Sequence, residues 1–247
     1  WAVPTTAGTG SEVTSFAVPT DSEKGVKYPL VDDALLPHQA VLDPVFLAGV
    51  PAKVTADTGM DVLTHAAEAY VAAGANVYTD ALAEKAFVLA WKSLPAAFGG
   101  NQEAKADMLL ASNLAGMAFN AAGLGLSHSL AHALGGRFHI PHGRLNAMLL
   151  PHVIRFNAVR RETAERYAAL AKACGLTPTA RGLAFAIERL RGRLEQPGRL
   201  SECGVDGKQV KACGDEIAAA ALADLCAPSN PRPVTPQDIK AILRELA

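Results

Sequence analysis

Hydrophobic positions divide the chain near residue 50. Before it, apolar and β-branched residues come in short runs broken by turn residues. Val13 to Val18 forms one run, Asp21-Ser22-Glu23-Lys24-Gly25 reads as a turn, and Lys27 to Val31 can return as a hairpin partner. Ala40-Val41-Leu42 predicts a further short strand that ends before Pro44. Trp1-Ala2-Val3-Pro4 reads as the tail of a strand, and a strand needs neighbours for its backbone hydrogen bonds, so the expectation is a chain that begins inside a larger fold.

From Pro51 onward the apolar period is helical. The pattern predicts a short helix over 52–57, a break at Gly59, and a strong helix over 60–73. Thr79 is the expected cap of a helix over 80–98, with Leu82, Ala86, Leu89 and Leu94 on one face. A helix over 103–118 follows, then one that Ser127 caps and Gly135-Gly136 ends. Further helices are expected over 142–157 (bent or restarted at Pro151), 163–174, 180–194, 210–226 and 236–246, the last capped by Thr235. The architecture implied is mainly α: a bundle of eight or nine helices over 50–247, preceded by a β and loop segment over 1–49.

Composition narrows the function. Of 247 residues half are apolar, enough for a sizeable core, and 23 basic residues against 24 acidic ones give no electrostatic case for nucleic acid or an anionic membrane. No apolar run approaches the ~20 residues of a membrane-spanning helix. Cys174, Cys203, Cys213 and Cys226 form no Cys-x2-Cys pair and suit a reducing cytoplasm. No signal peptide is expected.

The chemistry lies in the polar residues that interrupt apolar helices. Asp61 and His65 stand four apart, as do His128 and His132, so each pair projects from one helix face; His142 follows in Ile140-Pro141-His142-Gly143. Asp61 and His65 share their face with Val62, Ala66, Ala69 and Tyr70. Burying such groups costs several kcal/mol unless they are paired or ligated. Three imidazoles and one carboxylate from these five residues could converge on a divalent metal, with Fe(II) or Zn(II) favoured over Mg or Ca. The loop Val3-Pro4-Thr5-Thr6-Ala7-Gly8-Thr9-Gly10-Ser11-Glu12 is rich in hydroxyls and glycine but is not a Gly-x-Gly-x2-Gly fingerprint.

Three motifs then make a specific resemblance: Pro4-Thr5-Thr6-Ala7-Gly8-Thr9-Gly10-Ser11-Glu12-Val13-Thr14; Asp61-x3-His65-x2-Glu68; and Gly123-x-Gly125-x2-His128-x3-His132-x9-His142-Gly143. In order and spacing the chain resembles the iron-containing, group III alcohol dehydrogenases of the dehydroquinate-synthase-like fold, and most the alcohol dehydrogenases of ethanolamine or propanediol utilisation. Ala227-Pro228-Ser229-Asn230-Pro231-Arg232 matches a frequent family ending. The resemblance implies Asp61, His65, His128 and His142 as ligands of Fe(2+) or Zn(2+), with His132 near the nicotinamide as a proton relay. It places Thr5, Thr6, Thr9, Ser11, Thr14 and Lys27 at a bound NAD or NADP, with Phe16 near the nicotinamide, and puts Phe119 either at a substrate channel or in the core. His38, His139 and His152 match no ligand position.

The implied reaction is interconversion of short primary alcohols and aldehydes by hydride transfer. The family's glycine-rich pyrophosphate turn and NAD/NADP-selecting residue have no counterpart here, so residues 1–49 are expected to be the end of a dinucleotide-binding domain and 50–247 the helical catalytic domain. A homo-oligomer in the cytoplasm, with association with a bacterial microcompartment, completes the expectation. Two alternatives stand beside it: a dehydroquinate-synthase-like metal and NAD lyase, and a catalytically inactive metal-binding fragment.

Overall fold

A computed structural model describes residues 1–17, 19–21, 26–27 and 30–247, with side chains described for all of these except 20, 21, 26 and 27. Among them, two antiparallel strand pairs precede ten α-helices. The strands are β1 (Phe16–Ala17), β2 (Thr20–Asp21), β3 (Val26–Lys27) and β4 (Leu30–Val31). Phe16 opposes Val31 and Thr20 opposes Lys27, so the expected hairpin forms; of its expected turn over 21–25, Asp21 closes β2 and residues 22–25 lie outside those described. Ala40 makes only a single parallel bridge to Ala2, short of the strand expected there.

The helices are α1 (Ala52–Val71), α2 (Val77–Phe98), α3 (Gln102–Ala122), α4 (Leu126–Phe138) and α5 (His142–Asn157), then α6 (Arg161–Ala173), α7 (Ala180–Arg193), α8 (Gly207–Ala212), α9 (Gly214–Ala223) and α10 (Pro236–Leu246). α1 is continuous where a break was expected at Gly59. That glycine serves packing: a Cβ there would lie 2.2 Å from Cδ1 of Leu94 on α2. Every residue from Gly59 to Val71 is buried, because α1 is wrapped by α2, α3, α5 and α6 and is apolar on nearly all sides. α2 starts three residues earlier than expected, capped by Asn76 in a reciprocal capping box with Thr79. α4 runs past Gly135-Gly136 and ends at His139, in the left-handed conformation (φ 55°). α5 passes through Pro151 without a restart, and the expected helix over 210–226 is two helices divided at Cys213. The expected Thr235 cap of α10 is present, in a capping box with Asp238.

Two apolar cores result. One gathers α1, α2, α3, α6 and α7; the other gathers α4, α8, α9 and α10. α5 serves both, with Ala147, Leu150 and Ile154 in the first and Leu145, Met148, Leu149 and Val153 in the second. α1 and α5 approach closely at Gly143, where a Cβ would stand 2.0 Å from the carbonyl oxygen of Asp57. Arg144 locks the crossing with two hydrogen bonds to the Asp57 carboxylate, at 3.2 and 3.0 Å. Lys105, 5% exposed, donates from Nζ to the carbonyls of Leu47, Ala48 and Val50 and ties the segment before α1 to α3. No single helix among the described residues is long and apolar enough to cross a membrane.

Gly143→Ala should therefore cost about 1–3 kcal/mol, the usual range for overpacking, in urea unfolding. Gly192→Ala on α7, where a Cβ meets nothing within 4 Å, should leave stability unchanged or higher.

Candidate metal centre

Asp61 and His65 project from α1, His128 from α4 and His142 from the first residue of α5. They meet on the seam between the two cores. The ligand atoms of Asp61, His65 and His128 lie within 4.8 Å of one another, and all three residues are buried. His142 completes the group, with Nε2 3.6 Å from Oδ1 of Asp61 and its ring centroid 5.3 Å from that of His128. His65 is stacked between Phe119 and His128, each centroid 4.5 Å away.

The electrostatics follow from this crowding. Burial alone would raise the Asp61 carboxyl, but the neighbouring His65, His142 and His128 outweigh it and hold it far below the usual carboxylate range. Burial lowers His65 to about 3, against the opposing pull of Asp61. His128 goes the other way: burial would lower it, yet the Asp61 carboxylate 3.7 Å away and the hydrogen bond to Glu68 raise it to about 9.

Glu68 was not singled out beyond its place in the motif, yet it makes three hydrogen bonds in the site. Its Oε2 lies 2.6 Å from Nδ1 of His128 and accepts from the Gly125 amide at 2.9 Å, while Oε1 accepts from the Ser127 amide at 2.6 Å. One carboxylate therefore orients a candidate ligand and caps α4. Ser127 is not the cap; Gly125 holds that position, and its lack of a Cβ admits Glu68, whose Oε1 would lie 3.0 Å from one. Asn230 supplies the remaining cap, accepting from Leu126 at 3.2 Å. Asn146, fully buried on α5, was also missed. Its Nδ2 donates to Asp61 Oδ1 at 2.7 Å and lies 3.2 Å and 3.1 Å from Nε2 of His128 and His142. The sequence signal for both was spacing: Glu68 is three residues after His65, and Asn146 four after His142.

The donor set fits a divalent transition metal. The carboxylate and the two Nε2 atoms converge on one point, marked by the Asn146 amide. Nδ1 of His65 is buried without a hydrogen bond, and Asp61 and the imidazoles are the donor types that Fe(II) and Zn(II) accept.

A cavity of about 590 Å³ opens over these four residues, and His132, Phe16, Phe119, Leu225 and Cys226 also line it. Of the expected cofactor residues, Thr9, Ser11 and Thr14 line the same cavity; Thr5 and Thr6 do not. Lys27 lies in β3, which runs beside α4, and its side chain is outside those described. The loop is clamped to α3: Asn113 donates to buried Glu12 at 2.9 Å, and Asn120 Oδ1 accepts from the Ser15 amide at 2.9 Å. Gly10, at φ 61°, packs its backbone against Gly116, where a Cβ would lie 2.8 Å from Cα of that residue. His132 turns Nδ1 to Asp224 at 2.8 Å and stacks on His142 with centroids 5.1 Å apart. Burial would raise Asp224, but His132 and the Cys226 backbone outweigh it and lower it. His139 lines the cavity, whereas His152 pairs with Glu245 at 2.7 Å. None of the four cysteines is disulfide-bonded.

Comparison with known proteins accords with this geometry. Residues 55–247 match the C-terminal model of the Fe-containing alcohol dehydrogenase family, and residues 1–44 match the iron-containing alcohol dehydrogenase model. The chain is 48% identical to the 1-propanol dehydrogenase PduQ of Salmonella typhimurium, over 99% of this chain and 69% of that protein. It superposes on an iron-containing alcohol dehydrogenase from Thermococcus thioreducens with a TM-score of 0.94 and 35% identity, covering 99% of this chain and 63% of that one. A sulfoacetaldehyde reductase from Bifidobacterium kashiwanohense in complex with NAD+ gives a TM-score of 0.89 at 31% identity, over 99% of this chain and 64% of that one. The chain belongs to the iron-containing alcohol dehydrogenase family of oxidoreductases, and spans about two thirds of the length of these relatives.

Two outcomes are expected in solution. Glu68→Gln should weaken metal binding by roughly 10–100-fold in competition titrations, with the helix content kept. Because His128 is held near pKa 9 without metal, it carries a proton at pH 7.5 that a metal must displace. Calorimetry in buffers of different ionisation enthalpy should show its release, and affinity should fall as the pH drops from 9.

Proposed function

We propose that the chain carries the metal centre of an NAD(P)-linked alcohol dehydrogenase that interconverts short primary alcohols and aldehydes. The observation that carries the reading is the convergence of Asp61, His65, His128 and His142, from three helices, at the floor of a cavity whose wall includes Thr9, Ser11 and Thr14. Family membership favours it over a dehydroquinate-synthase-like lyase. Iron is the metal that the family's name supports, with zinc as the alternative; the relative in complex with NAD+ supports a nicotinamide dinucleotide.

When bound, the metal would supply Lewis acidity toward the substrate oxygen and the nicotinamide would accept or return the hydride. The chain's residues do the rest. Asp61 brings one negative charge among three imidazoles, so the centre keeps a net positive charge with which to favour an alkoxide. Glu68 fixes His128 with Nδ1 protonated and Nε2 free to ligate. Asn146 holds the Asp61 carboxylate in place. Phe119, Leu124 and Leu225 give the cavity an apolar wall suited to a short alkyl chain. Thr9, Ser11 and Thr14 offer hydroxyls and amides to the dinucleotide, while Thr5, Thr6 and Lys27 are tied to it by the resemblance alone. His132 receives the proton that leaves the alcohol. Homo-oligomerisation and a microcompartment setting belong to the same reading and rest on the resemblance.

Elemental analysis of protein purified without oxygen or chelator, paired with NAD(P)-coupled oxidation of 1-propanol by the intact protein, tests this. Near-stoichiometric iron or zinc with turnover is the expected result. Metal without turnover would leave an inactive metal-binding fragment, and a metal-free protein would sink the assignment of the four ligands. His128→Ala should abolish both metal retention and turnover; His132→Ala should lower the rate by about 10²-fold or more with metal retained.

A further inference from the structure

The segment that follows α9 reaches the cavity, which Leu225 and Cys226 line. Asp224 begins it, and its side chain is 8% exposed against 27% for His132. The segment is tied down at several points. The Ser229 carbonyl accepts from Ala73, Asn230 caps α4 and bonds Asn157 on α5, and Arg232 donates to the Phe156 carbonyl at 2.8 Å. Ser229 also fills the space beside Gly123, where a Cβ would lie 2.4 Å from its Oγ. The family-like run Ala227 to Arg232 is thus a mount that anchors the carboxylate three residues before it.

That carboxylate has two assigned oxygens. Oδ1 accepts from the Cys226 amide at 2.8 Å, and Oδ2 lies 2.8 Å from Nδ1 of His132. A charged carboxylate only accepts, so Nδ1 must carry hydrogen. Nε2 is then the nitrogen left to the cavity that His132 lines. One face of the ring stacks on His142 at an interplanar angle of 17°, which favours this orientation.

We propose that Asp224 is a positioning residue for the dehydrogenase reaction: it fixes His132 as the Nδ1–H tautomer, leaving the Nε2 lone pair to take the proton that the substrate gives up. This rests on the alcohol dehydrogenase reading above. It also makes a chemical forecast for one substitution. In Asp224→Asn the Cys226 amide still requires an oxygen at the Oδ1 position. The new NH2 group must therefore occupy the Oδ2 position and donate to Nδ1, which drives the imidazole proton to Nε2. The side chain keeps its shape while the acceptor nitrogen is blocked.

The test uses two-bond 1H–15N spectra of the zinc-loaded protein, which is diamagnetic, with the His132 signals assigned by their loss in His132→Gln. Wild type should show a protonated Nδ1 and a bare Nε2, and Asp224→Asn the reverse. In the holoenzyme the same variant should lose on the order of 10²-fold in kcat, with KM and metal content unchanged, while Asp224→Glu, which keeps an acceptor, should recover part of the rate. A protonated Nε2 in the wild type overturns the proposal without any variant. So does an unchanged tautomer in Asp224→Asn, or an inverted tautomer at full kcat. A wild type with the expected tautomer and no alcohol oxidation would instead overturn the functional reading and uphold the geometry.

Discussion

The site depends on one buried carboxylate. Glu68 accepts from the Gly125 and Ser127 amides and from His128 Nδ1, joining α1 to the first turn of α4 across the seam between the cores. A helix N-terminus carries unpaired amides and a partial positive charge, and a buried carboxylate needs both. Each solves the other's problem, and the orientation of His128 follows. Without Glu68, the Gly125 and Ser127 amides would lie bare at the start of α4, and the ring of His128 would lose the bond that fixes its tautomer.

The same economy recurs around the centre. Asn146 restrains Asp61, Asp224 restrains His132, and Phe119 and His128 sandwich His65. Asn146 and Asp224 stand behind the cavity wall, whereas Phe119 and His128 line it beside the ring they hold. Glycines set the distances: Gly143 lets α5 press on α1, Gly125 admits Glu68, and Gly10 rests against Gly116. A metal centre tolerates little positional error, and backbone contact leaves less slack than contact between flexible side chains.

Much of this was legible in the sequence, in the parts governed by local periodicity. The paired Asp61/His65 and His128/His132 spacings, the helical stretch after Pro51 and the Thr235 cap depend on residues a few positions apart, and the structure has them. Whatever depends on distant partners was not legible. Glu68 meets residues 57 to 60 positions away, Asn146 meets Asp61 at 85, and Asp224 meets His132 at 92. Glycine was ambiguous for the same reason. Gly59 reads as a helix break in isolation, yet it makes room for Leu94; Gly135-Gly136 reads as a stop, yet α4 continues to Phe138. Ser127 has the chemistry of a cap but stands two residues past the one in use, because the acceptors come from Glu68 and Asn230.

The loop from Thr5 to Thr14 is fastened to the helices that also present the metal donors or flank them. Gly8 abuts Thr58 on α1, and Glu12 and Ser15 are held by Asn113 and Asn120 on α3. The part of the proposed dinucleotide site nearest the chemistry is therefore surveyed from the same datum as the candidate metal ligands. Motion of any domain that held the far end of the dinucleotide could open or close the cleft, yet the register between loop and metal would travel with the helices. Under the proposed function, alignment of the loop with the metal centre would thus be carried by the helices themselves.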